Sequence, residues 1–259
     1  MSDVLTELQG HVLLITLNRV SKSNAFDDTL LADLQVILDN ADDNPQVRVI
    51  VLKANGRHFS AGADIAWMQR MAQFSEDENL ADAKILAKLM YTLYQSKLPT
   101  LAMVQGAAMG GGAGLVAACD FAIAGHSASF CFSEVKLGLI PAVISPYVIK
   151  AIGERATAGL FMSAEIFDAK RAMELQLVQH CVPDEALLPF TLGFANQIAQ
   201  WAPQAVHAAK SLVRQVAPLP INSELQHLTA TLIAKQRVSA EGQRGLKAFL
   251  NRKPQIGTK

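Results

Sequence analysis

The chain has 259 residues, of which 51% are hydrophobic and 18% charged, and its 23 Lys plus Arg balance 23 Asp plus Glu. This composition excludes a disordered chain and is ample for one large core, alone or with an appendage. A formal charge of zero excludes a basic field for nucleic acid or an anionic membrane surface, while leaving single cations free to grip a small anionic ligand.

The opening "MSDVLTELQGHVLLITLNR" has no basic leader region and no small-residue cleavage site, so it reads as mature, cytoplasmic protein. No apolar run reaches the roughly 18 residues of a membrane span. "VLLITL", Val12 to Leu17, reads as a short buried strand. From Phe26 to Asn40 the residues Leu30, Leu31, Leu34 and Ile37 keep helical spacing behind Asp27 and Asp28. "VRVIVL", Val47 to Leu52, predicts a second buried strand. Glu76 to Gln95 predicts a long helix with acids at its start, and Pro99 follows its end. "PTLAMVQG" and "DFAIAG" predict two further strands. Strands alternating with helices indicate an α/β domain with a buried sheet. Beyond about Pro203 the spacing is helical to Leu250, so the chain divides into a core over 1–198 and a small helical subdomain over 199–259.

Two glycine-rich segments each follow a strand: "RHFSAGADI", Arg57 to Ile65, and "GAAMGGGAGLVAACD", Gly106 to Asp120. Consecutive glycines cost roughly 0.5–1 kcal/mol each in a regular element, so a bare backbone there needs a reason. Each loop suits a turn into a helix N-terminus, where N–H groups point outward. Two such loops side by side hold one developing oxyanion; each alone is equally a tight turn against a helix. Neither matches a phosphate-binding GxxxxGK[ST] or a GxGxxG followed by an acid. In "CFSEVKLGLIPAVISP", Glu134 stands among apolar neighbours, where burial would raise its pKa and suit it to proton transfer. The alternative is a surface glutamate beside Lys136. Cys119, Cys131 and Cys181 lack a CxxC pair and read as buried free thiols, and the six histidines show no metal spacing. No metal is expected.

Taken together these segments resemble the crotonase superfamily, the enoyl-CoA hydratases and isomerases. "LNRVSKSNAF" resembles the family's opening motif, "FSAGADI" and "GAAMGGGAGLVAACD" its two oxyanion loops, and "SEVKLGLIP" the segment that carries a catalytic Glu. "FDAKRAMELQLVQHCVP", "APQAVHAAK" and "SAEGQRGLKAFLNRKP" resemble later parts of the family, so the likeness runs over nearly the whole chain. The resemblance implies a spiral α/β core of strand–strand–helix turns with a helical C-terminal part that makes trimers, often paired into hexamers. It implies an acyl-CoA substrate and no cofactor beyond the substrate's own CoA. It places the oxyanion donors at the N–H groups of Ala63 and Gly111 and the acid–base group at Glu134. Contacts to CoA and the acyl chain are implied at Lys22, Ser60, Ala61, Gly62, Asp64, Ile65, Gly110, Gly114 and Pro141, with Pro141 also shaping the turn after Glu134. Lys247 and Lys253 are implied as reaching a neighbouring subunit's nucleotide.

One departure stands out. Family hydratases carry a first Glu three residues after the middle glycine, where this chain has Gly114. Small residues there are implied for bacterial methylglutaconyl-CoA and carboxygeranoyl-CoA hydratases, which this chain resembles in "GADIAWMQ", "NLADA" and "FSEVKLGLIPAVISPYVIKAIGERA". On that reading Gly114 removes a repelling carboxylate and opens room for a β-branch. The alternatives are a double-bond isomerase with Glu134 as sole proton shuttle, and a non-catalytic binding or scaffold protein. Thioester hydrolysis or decarboxylation is also open on this scaffold, although no nucleophile supports hydrolysis. His58 reads as structural; Trp67, Met68 and Met71 as pocket wall or core; Asp120 as a local hydrogen-bonding group. Lys136 or Arg70 is open as a partner for a substrate carboxylate.

Overall fold

The computed structural model describes residues 2–251. It divides into two compact units, 1–198 and 199–259.

In the first unit, β1 (Val4–Gln9) and β2 (Val12–Leu17) form an antiparallel hairpin turned by Gly10 at φ +60° and His11. α1 (Asp28–Asp43) leads to β3 (Val49–Ala54); α2 (Ile65–Met71) and α3 (Glu76–Gln95) lead to β4 (Thr100–Val104). β5 (Ala107–Met109), α4 (Gly111–Ala118), β6 (Phe121–Gly125) and β7 (Ser129–Cys131) follow closely. Then come α5 (Ser145–Ile152), α6 (Glu154–Ser163), β8 (Phe167–Asp168), α7 (Ala169–Glu174), β9 (His180–Val182) and α8 (Asp184–Ala199). The main sheet runs β1-β2-β3-β4-β6-β9, parallel from β2 onward. Because both of its faces are covered, β3 and β4 read as nearly continuous apolar runs, with Lys53 and Thr100 the polar members. A second small sheet runs β5-β7-β8.

The predicted strand at Val12–Leu17 and helix at Glu76–Gln95 have the observed bounds. α3 starts sharply because Ser75 and Glu78 form a reciprocal capping box. The strand predicted from Val47 begins at Val49, because the Val47 N–H turns back to the Asn44 carbonyl. The helix predicted from Phe26 begins at Asp28, because Asp27 caps it by accepting from the Leu30 N–H and Phe26 is drawn into a bridge with Ala63. Cys131 is buried, whereas Cys119 and Cys181 are only half-buried. Among the described residues no helix is long and apolar enough to cross a membrane.

The second unit is helical: α9 (Pro203–Val216), α10 (Ser223–Val238) and α11 (Ala240–Leu250). Glu241 joins α11 to the start of α9 by accepting from the Gln204 and Ala205 N–H groups at 3.2 and 2.8 Å.

Candidate active site

The first glycine loop is clamped from both sides. The Phe26 N–H donates to the Gly62 carbonyl and the Asp64 N–H to the Phe26 carbonyl, both at 2.7 Å, so the peptides flanking Ala63 are fixed. Ser60 ties this loop to the second one: its N–H donates to Ala107 O at 3.0 Å, and the Met109 N–H donates to Ser60 O at 2.9 Å. The loops approach closely enough that a Cβ on Gly62, at φ +92°, would lie 3.1 Å from the Met109 carbonyl oxygen. Only a glycine satisfies both that dihedral angle and that spacing.

The second loop opens α4 without any side-chain cap, and its first intrahelical bond is Gly114 N–H to Gly110 O at 3.0 Å. Among the described residues, neither the Ala63 nor the Gly111 N–H has a hydrogen-bond acceptor. Two bare donors on adjoining loops, one of them at a helix N-terminus, suit an anionic oxygen.

Glu134 is delivered to the same place by the small sheet. β5 and β7 pair in parallel with Met109 opposite Cys131, and the Gly110 N–H donates to Cys131 O at 2.8 Å. Glu134 follows three residues later, at the head of a 3-10 turn over Glu134–Leu137. Buried Phe132 anchors this segment, 5.0 Å from the Phe161 ring and 6.1 Å from that of Phe167. A Cβ on Gly110, at φ +50°, would sit 3.2 Å from Glu134 Oε1, so the carboxylate lies against the backbone next to Gly111. Glu134 Oε2 is buried with no hydrogen-bond partner among the described residues. Burial pushes the carboxyl above the ordinary glutamate range, against a smaller opposing pull from its own backbone N–H.

A match to the Enoyl-CoA hydratase/isomerase family model spans residues 7–257. A crystal structure from Legionella pneumophila, named for enoyl-CoA hydratase/isomerase (crotonase), shares 64% identity at a TM-score of 0.95, covering 98% of each chain. An enoyl-CoA hydratase structure from Shewanella pealeana shares 42% identity at 0.94, over 97% of this chain and 94% of that one. The 2,3-dehydroadipyl-CoA hydratase of Escherichia coli is 31% identical over 256 residues, 98% of this chain and 97% of the relative. The chain belongs to the enoyl-CoA hydratase/isomerase family. Its activity is of the enoyl-CoA hydratase/isomerase type, and its α/β architecture is that of crotonase-fold proteins.

For this family member the structure sorts the residues anticipated around the substrate. Ala61 and Ile65 are exposed beside the Ala63 N–H, and Lys22 is exposed on its own turn. Pro141 is buried in the segment after Glu134. The side chains of Ser60 and Asp64 are engaged in the scaffold, while the contact to CoA implied by the resemblance at Ser60 to Gly62 is one of the backbone. The Ser60 hydroxyl donates to Asn24 O at 2.9 Å and accepts from the Gly62 N–H at 3.2 Å. Asp64 caps α2 by accepting from the Ala66 and Trp67 N–H groups and pairs with Arg19 at 3.2 Å. Burial opposes ionisation of Asp64, yet the Trp67 and Ala66 N–H groups and the Arg19 guanidinium together hold its carboxyl below the ordinary range.

Gly114 overturns the expectation of open room. A Cβ there would collide with the Ile144 Cγ2 methyl, lie 2.8 Å from Ile144 Cβ and 3.3 Å from Met90 Cε. The space is therefore filled by the chain's own isoleucine, which is 2% exposed. Arg70 is taken by Asp28 at 2.7 Å, while Lys136 approaches Cys131 Sγ at 4.0 Å. His58 accepts from the Ala107 N–H through Nδ1, as a structural residue would. Buried Trp67 donates from Nε1 to Asp82. Asp120 accepts from the N–H and hydroxyl of Thr100, which starts β4. Lys247 lies on α11, and Lys253 falls outside the described residues. Sequence reasoning assigned nothing to Ile144 or to Arg19, although Arg19 stood inside the quoted "LNRVSKSNAF".

Proposed function

We propose that the chain catalyses reversible hydration of an α,β-unsaturated acyl-CoA, with methylglutaconyl-CoA, an intermediate of leucine breakdown, as its substrate. The observation that carries this reading is the Glu134 carboxylate lying against Gly110, beside the two bare N–H groups. In the proposed step ionised Glu134 removes a proton from water as the water oxygen bonds to the β-carbon. The π electrons move onto the thioester oxygen, forming an enolate held by the Ala63 and Gly111 N–H groups. Glu134 then returns its proton to the α-carbon and the enolate collapses, so one water is added and the glutamate ends ionised. One carboxylate serves as base and then as acid. No cofactor is invoked beyond the CoA of the substrate. The E. coli relative supports an acyl group with a second carboxylate, since dehydroadipyl-CoA carries one.

Isomerisation is the second reading, favoured by Ile144 filling the place beside Gly114. There Glu134 removes a proton from the α-carbon of a 3-enoyl-CoA and returns it to the γ-carbon. Incubating the protein with methylglutaconyl-CoA and with a straight-chain trans-3-enoyl-CoA separates the two by product mass. A gain of one water from the branched substrate supports hydration; unchanged mass with a moved double bond supports isomerisation. Glu134→Gln is expected to lower either turnover by about 10²–10⁴-fold; an unaffected rate would remove Glu134 from the chemistry, and no turnover in the parent would favour a binding protein.

A further inference from the structure

Arg19 follows β2 and is only 17% exposed at its side chain, yet it meets three carboxylates from three separate segments. Its Nη2 lies 2.7 Å from Asp27, its Nη1 3.2 Å from Asp64, and its Nε 3.3 Å from Asp3. Nη1 also donates to the Ala25 carbonyl at 3.0 Å. Two of these acids are helix caps. Asp27 starts α1 and Asp64 starts α2, and between them run the Phe26 bonds that fix the peptides on either side of Ala63.

The charge at Asp64 is the difficulty. It is 4% exposed and belongs to the residue directly after Ala63. An uncompensated carboxylate so close would oppose a second negative charge growing at the Ala63 N–H, most strongly where water is excluded. Arg19 offsets that opposition, alongside the Trp67 and Ala66 N–H groups and the Lys22 charge, and it also locks the side chain that anchors the loop by pairing with it at 3.2 Å. Lysine is a poor substitute, because a point charge on a flexible stem cannot serve three acids and a carbonyl arriving from different directions.

We propose that Arg19 is a positioning residue of the oxyanion hole, which neutralises and clamps Asp64 so that the Ala63 N–H is held ready for a developing enolate oxygen. This rests on the reading of Ala63 as an oxyanion donor. Arg19 itself need not touch the substrate.

The test compares two ligands, a 3-ketoacyl-CoA in its enolate form and a saturated acyl-CoA of equal length. Their affinity ratio is measured for the parent, Arg19→Met, Arg19→Lys, Asp64→Asn and the Arg19→Met/Asp64→Asn pair, alongside kcat and KM. Loss of one oxyanion donor typically costs ~10²–10³ in rate, so a misplaced and opposed donor is expected to cost Arg19→Met about 10–100-fold in kcat and in enolate preference, with KM changed less than about threefold. Arg19→Lys is expected to recover only part of this. The paired variant, lacking both charges while Asn still caps α2, is expected to regain most of the enolate preference. Equal loss of both ligands in Arg19→Met, or a paired variant worse than either single one, would leave Arg19 a purely structural residue and overturn the proposal. A parent protein with no preference for the enolate would instead overturn the oxyanion reading itself. If Arg19→Met fails to fold, Arg19→Lys and Asp64→Asn decide, since unchanged enolate preference in both overturns the proposal.

Discussion

Glu134 carries a cost that a merely structural glutamate would not. Its carboxyl is pushed up by burial, and one of its oxygens has no partner among the described residues. A folded-state pKa above the unfolded one means the folded chain holds this proton more tightly, so the ionised side chain detracts from stability above the folded pKa. That deficit shrinks as pH falls and vanishes below the unfolded pKa. Glu134→Gln is therefore expected to melt higher than the parent at mildly alkaline pH, with the gap closing in acid. A lower melting point at every pH, followed by circular dichroism, would contradict this. Catalysis has the opposite slope, because the ionised form is the base. The acid limb of kcat/KM should fall at a higher pH than an ordinary glutamate would set, and a limb at the ordinary position would separate Glu134 from the rate. The residue pattern alone left Glu134 open between a buried acid and a surface glutamate beside Lys136, and only the resemblance of "SEVKLGLIP" to a family segment singled it out. The scaffold bonds of the Ser60 and Asp64 side chains were less legible, since the sequence does not show which remote backbone groups a small polar residue in a glycine loop will meet.

At the scale of elements, α4 and the segment entering α5 form one packing unit. Gly114 and Ile144 share a volume that fits only one side chain. Gly114→Ala alone is expected to cost about 1–3 kcal/mol by overpacking, and Ile144→Ala alone about 2–5 kcal/mol by leaving a cavity. The double variant should be more stable than their sum predicts, by about 0.5–3 kcal/mol. Strictly additive urea midpoints would mean that the two positions do not compete for space. The complementarity was not readable in the sequence: thirty positions separate the partners, and neither breaks a local pattern. Long elements such as α3 and the β2 run were readable, because periodicity accumulates over many residues. The small sheet that holds Glu134 was not, because strands of three, three and two residues contain no period to detect.

For the whole molecule, the helical unit leaves large apolar side chains in the open. Ile221 is 90% exposed, and Val238, Phe249 and Leu250 each exceed 70%. Groups of this kind are commonly covered by association, in keeping with the trimer or hexamer proposed from the family resemblance. Sedimentation velocity is expected to give a mass of three or six chains, and Phe249→Glu to shift it toward smaller species; a monomeric parent would refute the assembly. The fold class was legible from alternating strands and helices, whereas the way the loops clasp one another was not. That clasp has a kinetic consequence. The proposed donors and acid depend on backbone pairings between Phe26 and Ala63, Ser60 and Ala108, and Met109 and Cys131. These are closures between remote parts of the chain, each opposed by the entropy of the intervening loop until the others form. A refolding chain can complete its helices early and still be catalytically silent, with turnover expected to return only when these three pairings have closed.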